Sequence, residues 1–197
     1  CNVAHIEHIH HLYTDFPIEI FVEKHACNTA AAAGIASLNV ERSDKILLLP
    51  SDHLIREVDE FQKTVMHALE NYNEKSIFAF CKKPKSSNVN YGYLEVGKNL
   101  KNDIYEITRF VEKPNRLNAE LYFLSNNYFW NCGIYLFEAK NFLKELAAFE
   151  PEILNACKKA EKNSKKVELY KNVEILLSED KKTSIDVAIM EKTKFIS

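Results

Sequence analysis

The chain has 197 residues, of which 46% are apolar and 27% charged, the length and balance of one globular domain with a single core. Its formal net charge of −2 excludes the bulk basic field that draws nucleic acid or an anionic membrane surface, and no apolar run approaches the ~20 residues of a membrane-spanning helix. Five scattered cysteines without a C-x-x-C pair suggest neither a zinc site nor a disulfide framework, and reduced thiols in a cytoplasmic protein are the simplest reading.

The opening residues, Cys-Asn-Val-Ala-His-Ile-Glu-His, have no initiating Met, basic start or apolar h-region, and read as part of something longer rather than as a leader. His5 and His8 share a helical face there while His10 and His11 point elsewhere, which is a helix surface and not a metal site. Residues 18–22 read as a strand and 28–38 as an Ala-rich helix. Lys-Ile-Leu-Leu-Leu-Pro at 45–50 is an apolar run stopped by proline, the pattern of a strand buried on both faces. A helix over 58–69 puts Phe61, Val65, Ala68 and Leu69 on one face, and 76–81 is the next buried strand. From Tyr91 to Val111 the period shortens to two, which predicts an inserted β-ribbon. A short helix at 117–124 and a strand at 130–137 come next, then helices at 140–149, 151–162 and 167–177, with Pro151 placed where a first helical turn tolerates it. The lysine-rich stretch 158–166 reads as a solvated face and turn. This order predicts an α/β fold: a mostly parallel, mixed sheet flanked by helices, with no repeat or linker, so that residues 1–197 form one domain.

Four glycines, Gly34, Gly92, Gly97 and Gly133, leave no room for a G-x-G-x-x-G turn or a P-loop, so a nucleotide here takes its phosphate grip elsewhere. Leu-Leu-Pro-Ser-Asp-His-Leu at 48–54 places Asp52 just past the C-terminal end of a strand, the edge where open α/β sheets bind ligands; the plainer alternative is a cap for the next helix. Phe-Val-Glu-Lys-Pro at 110–114 sets Glu112 beside Lys113, and strand alternation sends them to opposite sides, one suited to sugar hydroxyls and one to a phosphate. An exposed charge pair before a proline turn is the plainer alternative. Phe-Trp-Asn-Cys-Gly-Ile at 129–134 offers the Asn131 amide and a close backbone approach at Gly133, and Tyr91-Gly92-Tyr93 offers another. Thr-Ser-Ile-Asp-Val-Ala-Ile-Met-Glu-Lys at 183–192 puts Asp186 at the start of a helix.

In this order and at these separations the segments resemble the sugar-phosphate nucleotidyltransferases, most closely the mannose-1-phosphate guanylyltransferases. Phe-Val-Glu-Lys-His-Ala-Cys-Asn-Thr-Ala at 21–30 and Phe-Glu-Pro-Glu-Ile-Leu at 149–154 belong to the same match, while Trp130-Asn131 and Ser184-Ile-Asp…Met190-Glu-Lys favour the mannose branch. The resemblance implies a Rossmann-like domain that moves a guanylyl group from GTP to mannose 1-phosphate, giving GDP-mannose and pyrophosphate by Mg²⁺-assisted in-line displacement. It implies that Asp52 and Asp186 hold Mg²⁺ and that Lys113 meets the sugar phosphate. Tyr91, Gly92, Glu112, Asn131 and Gly133 shape the sugar site, and Glu23, Asn28, Thr29 and Ser51 lie on the nucleotide side.

The chain departs from the family's pattern as well. The Gly-rich opening loop with its Arg and Lys is absent, which leads us to expect an N-terminally truncated, partial catalytic domain without its first strand. Cys27 stands where the family usually has Arg, and Cys132 where it usually has Ser. Apolar surface bared by a missing strand gives a reason for a homo-oligomer. Two other readings stay open: a non-catalytic remnant that keeps sugar-phosphate or partner binding, and a nucleotidyltransferase for another sugar 1-phosphate.

Overall fold

The computed structural model describes residues 1–72, 76–167, 170–194 and 196–197. A 3₁₀ turn at Val3–His5 leads into helix α1 (Ile6–Leu12), which covers strand β1 (Ile20–Glu23) through Ile6, Ile20 and Val22. Helix α2 (Asn28–Leu38) comes after it, and its buried Ala30, Ala31 and Ala33 let it sink against neighbouring helices. Next come strand β2 (Lys45–Leu48), helix α3 (Val58–Glu70) and strand β3 (Phe78–Lys82). Strands β4 (Tyr93–Lys101) and β5 (Ile104–Val111) form the expected ribbon, followed by helix α4 (Arg116–Leu124) and strand β6 (Tyr128–Glu138). Helices α5 (Ala139–Phe149) and α6 (Pro151–Lys162) are joined at Glu150, with Pro151 in the first turn of α6. The chain closes with strands β7 (Lys165–Val167) and β8 (Tyr170–Val173) and a π-helical turn at Asp186–Met190.

Strand β6 is the spine of the larger sheet. β2 lies antiparallel along one of its edges, with Leu48 opposite Tyr135, and β3 lies antiparallel along the other, with Phe78 opposite Leu136. β2 and β3 therefore run in the same direction with β6 between them. β4 pairs antiparallel with the start of β6, Tyr93 opposite Trp130, and with β5. Direct parallel pairing joins β1 to β8 and Ile77 to Ile196. The result is the α/β fold expected, a mixed sheet flanked by helices with an inserted ribbon, in which β2 and β3 run parallel to each other while each direct strand pairing described in the larger sheet is antiparallel. The ribbon turns through two residues, Asn102 (φ 48°) and Asp103 (φ 62°), the pair of positive φ angles that a tight hairpin requires. Asn and Asp enter that region at less cost than other side chains.

The main core gathers Tyr135, Phe137, Phe142, Leu146, Ile153, Ile189 and Met190, with the Phe137 and Phe142 rings stacked at 4.7 Å. Each such side chain contributes about 1.5–3 kcal/mol by leaving water. The Cys157 thiol of α6 donates to the Ala31 carbonyl of α2 at 3.5 Å, so the two helices meet closely. No described helix is long and apolar enough to cross a membrane.

Two expectations give way. The helix over 167–177 is replaced by β7 and β8, with 168 and 169 outside the described residues, because β1 offers an open edge and Ile20 to Glu23 pair with Tyr170 to Val173. Tertiary pairing overrides a helical pattern of only a few turns. β2 is half-buried rather than buried on both faces, and Leu49 just beyond it is 47% exposed. Among the described residues β2 pairs with β6 alone, so its other edge is uncovered.

Candidate functional site

The site forms where β6 breaks its ladder. Phe80 of β3 lies opposite Ile134, but Cys81 lies opposite Asn131, so two extra residues of β6, Cys132 and Gly133, are extruded as a bulge. Gly133 sits at φ +65°, and its N–H donates to the Asn131 side-chain oxygen at 3.0 Å. This is an Asx turn, and here it closes on a residue in the left-handed conformation that glycine adopts freely. The turn leaves the Asn131 amide nitrogen free to donate outward, to the Tyr135 hydroxyl at 2.8 Å and to Oδ1 of Asp186 at 2.9 Å. The Tyr135 hydroxyl in turn donates to the same Oδ1 at 2.5 Å. Burial, then the neighbouring Asp186 carboxylate, pushes the Tyr135 phenol well above its usual pKa, so it remains a donor.

The chain on either side of Asp186 holds it in place. Ala188, Ile189 and Met190 are buried, and the π-type turn closes with the Glu191 N–H on the Asp186 carbonyl at 2.9 Å. The preceding Ile185 N–H donates to Thr29 Oγ1 at 2.9 Å, which fixes the carboxylate beside the N-terminus of α2. Asn28 opens α2 at φ 69° and its side chain accepts from the Thr29 N–H at 2.8 Å. Glu23 accepts from the Cys27 N–H at 3.4 Å, closing the β1–α2 turn. Cys27 is 1% exposed, and burial raises its thiol pKa.

The other flank is built on backbone contact. The Asn131 N–H donates to the Gly92 carbonyl at 2.9 Å. A Cβ on Gly92 would stand 2.6 Å from Oε2 of Glu112, so any larger residue there would push that carboxylate aside. The Glu112 N–H donates to Oε1 of Glu191 at 2.9 Å, and Oε1 of Glu112 accepts from Lys113 Nζ at 2.7 Å. Glu112 and Lys113 thus face each other instead of pointing apart. The reason is that β5 ends at Val111 and Lys113 turns the chain at φ 45°, so strand alternation no longer applies. The hydrogen bond and charge of Glu112 raise the Lys113 pKa. Tyr91 packs against Trp130 with ring centroids 4.9 Å apart.

The remaining segment approaches from β2. A Cβ on Gly133 would be 3.6 Å from Pro50 Cγ, so Pro50, Ser51 and Asp52 run past the bulge. Asp52 lies in an exposed turn and does not cap α3, whose N-cap is Glu57. Thr29, Gly92, Glu112, Lys113, Asn131, Gly133 and Asp186 are therefore joined in one network, with Glu23 and Asn28 at the adjoining β1–α2 turn, while Ser51 and Asp52 lie in an exposed turn that no hydrogen bond among the described residues ties to it. Among the described residues no three His, Cys, Asp or Glu side chains gather around a point. Clefts of about 170 Å³ between α3 and the ribbon and of about 440 Å³ along α6 are lined by none of the predicted site residues.

Sequence reasoning missed Tyr135 and Glu191. Tyr135 stands four residues from Asn131 in the same strand, a spacing that hints at a shared face, but a tyrosine among apolar neighbours reads as core. Glu191 lies inside the Met-Glu-Lys segment that the resemblance quotes, without a role.

Residues 4–174 match the family model described as Nucleotidyl transferase. In an alignment of 213 residues the chain is 33% identical to a mannose-1-phosphate guanylyltransferase of Escherichia coli, covering 98% of this chain and 45% of that protein. It is 37% identical over 181 residues to the xanthan biosynthesis protein XanB of Xanthomonas campestris pv. campestris (strain B100), covering 90% of this chain and 38% of that one. A crystal structure described as mannose-6-phosphate isomerase from Helicobacter pylori has a TM-score of 0.84 at 26% identity, over 100% of this chain and 78% of that chain. The chain spans less than half the length of the two curated relatives.

Proposed function

The chain belongs to the nucleotidyl transferase family, and on that footing we propose that it is catalytic-domain sequence of a mannose-1-phosphate guanylyltransferase. In the reaction a phosphate oxygen of mannose 1-phosphate attacks the α-phosphorus of GTP. The bond from that phosphorus to the bridging oxygen breaks, pyrophosphate leaves with the electron pair, and GDP-mannose forms. No covalent enzyme intermediate is required, so the protein works by positioning and by neutralising charge.

The observation that carries this reading is the continuity of the network. It runs from Thr29 at the head of α2 through Asp186 and Asn131 to Gly92, Glu112 and Lys113, so groups suited to a nucleotide, a cation and a sugar phosphate share one sheet edge. Glu112 accepts sugar hydroxyls beside Gly92, Asn131 and Gly133, with Tyr91 at the rim. Lys113, with its side chain 63% exposed, exchanges Glu112 for the sugar phosphate. Glu23, Asn28, Thr29 and Ser51 line the nucleotide side. Asp52 and Asp186 fit Mg²⁺: both are hard oxygen donors, and Oδ2 of Asp186 takes no hydrogen bond from a described residue. When bound, the cation neutralises charge on the nucleotide phosphates.

One observation favours a second reading. Cys27, in the turn before α2, stands where the resemblance expects an Arg, so the nucleotide side lacks a cation there and a chain with sugar-phosphate contacts and no turnover also fits. Calorimetric titration with mannose 1-phosphate tests what both share. Binding is expected, and Lys113→Ala should weaken it about ten-fold or more, the worth of a charge-assisted hydrogen bond. Equal binding by both forms rules out this sugar-phosphate site. Pyrophosphate release from GTP, Mg²⁺ and mannose 1-phosphate by the same preparation then separates enzyme from remnant.

A further inference from the structure

We propose that Tyr135 is a positioning residue that makes Asp186 a one-oxygen ligand and so sets which cation the site accepts. The inference rests on the assignment of Asp186 to a cation. Tyr135 is fully buried, yet its hydroxyl is not lost in the core: it reaches Oδ1 of Asp186 at 2.5 Å. The Asn131 amide donates both to that hydroxyl at 2.8 Å and to the same Oδ1 at 2.9 Å. Oδ1 thus accepts two hydrogen bonds, which saturates its lone pairs. Oδ2 receives none from the described residues.

A carboxylate held this way coordinates through one oxygen. Bidentate coordination, which large and flexible Ca²⁺ shells use, would require Oδ1 to surrender a hydrogen bond in a half-buried place. Monodentate coordination suits the small octahedral shell of Mg²⁺. The arrangement is rigid because each partner is fixed independently: Asn131 by its turn onto Gly133, Tyr135 by burial in the main core, and Asp186 by the Ile185–Thr29 bond. Asn131 gives away its amide nitrogen in the process, and keeps one lone pair of its side-chain oxygen for a sugar hydroxyl.

The test uses Mn²⁺ as the probe, its binding followed by electron paramagnetic resonance, with Mg²⁺ and Ca²⁺ as competitors. The unaltered chain should bind Mn²⁺ and release it to Mg²⁺ more readily than to Ca²⁺. Tyr135→Phe keeps the buried ring and removes only the hydroxyl, which donates to Asp186 and accepts from Asn131. It should weaken Mn²⁺ binding by about 10- to 100-fold, as loss of a ligand-orienting hydrogen bond does, and shift the preference towards Ca²⁺. General loosening of the fold would weaken both competitors together. An unchanged preference in Tyr135→Phe overturns the inference. As a second measurement that needs no variant, the Tyr135 hydroxyl proton resonance should move as Mg²⁺ saturates the unaltered chain, and a static resonance also overturns it. Absence of any Mn²⁺ binding removes the cation assignment and this inference with it, while the mannose 1-phosphate titration judges the sugar-phosphate reading separately.

Discussion

Gly133 shows how one residue shapes the site. Its φ of +65° lies where a side chain costs about 1–2 kcal/mol, while its surroundings are open, with Pro50 Cγ 3.6 Å from an added Cβ. Gly133→Ala should therefore lower stability by about that amount through backbone strain rather than collision, a Tm fall of roughly 2–8 °C measurable by thermal unfolding. Retention of the full Tm would mean that the Asx turn relaxes and Asn131 moves. At this scale the resemblance named Asn131, Glu112 and Asp186 separately, and the structure links them through partners that carry no signal of their own. Tyr135 reads as core because core is where its ring lies; only its hydroxyl belongs to the site. The Glu112–Lys113 pairing was illegible because it depends on a positive φ at a lysine, which nothing in Glu-Lys-Pro announces.

Among the elements, α4 starts directly below the Lys113 turn, and its cap is readable. The Asn115 side chain accepts from the Asn118 N–H at 2.9 Å, after a proline that cannot donate. Asn115→Ala should cost about 1 kcal/mol, seen as a lower urea midpoint with unchanged m. An unaltered midpoint would show that solvent serves the first turn as well. Helices α2, α5 and α6 were legible because each runs for three turns with an apolar face or an Ala-rich body. The ribbon was legible from its period of two. The segment after α6 was not: its Val, Tyr, Ile and Leu residues suit either period, and only the open edge of β1 decides for strands. Strand direction was equally hidden, because an apolar run reports burial and says nothing of which way its neighbours point.

For the whole molecule, buried thiols tie stability to alkaline pH. Burial pushes Cys157 up from 9.0 to about 12. Its folded pKa is raised, so its contribution is complete below pH 9.0 and is lost as pH climbs towards about 12, where the unfolded chain ionises first. Urea midpoints should fall above pH 9.0, by up to roughly 1.4 kcal/mol per pH unit for this group, and Cys157→Ala should flatten that slope. An equal slope in both chains would assign the loss elsewhere. The placement of β6 has a consequence in time as well as in space. Its partners β2, β3 and β4 all precede it, β2 by some 80 positions, counted from Leu48 to Tyr128. The β4–β5 hairpin can close locally as the polypeptide emerges, but β2 and β3 have no strand between them until residues 128–138 arrive. Such distant pairing delays closure of the sheet. In the interval the half-apolar edges of β2 and β3 stand open to other nascent chains, and it is there, before any substrate matters, that this protein most needs a chaperone.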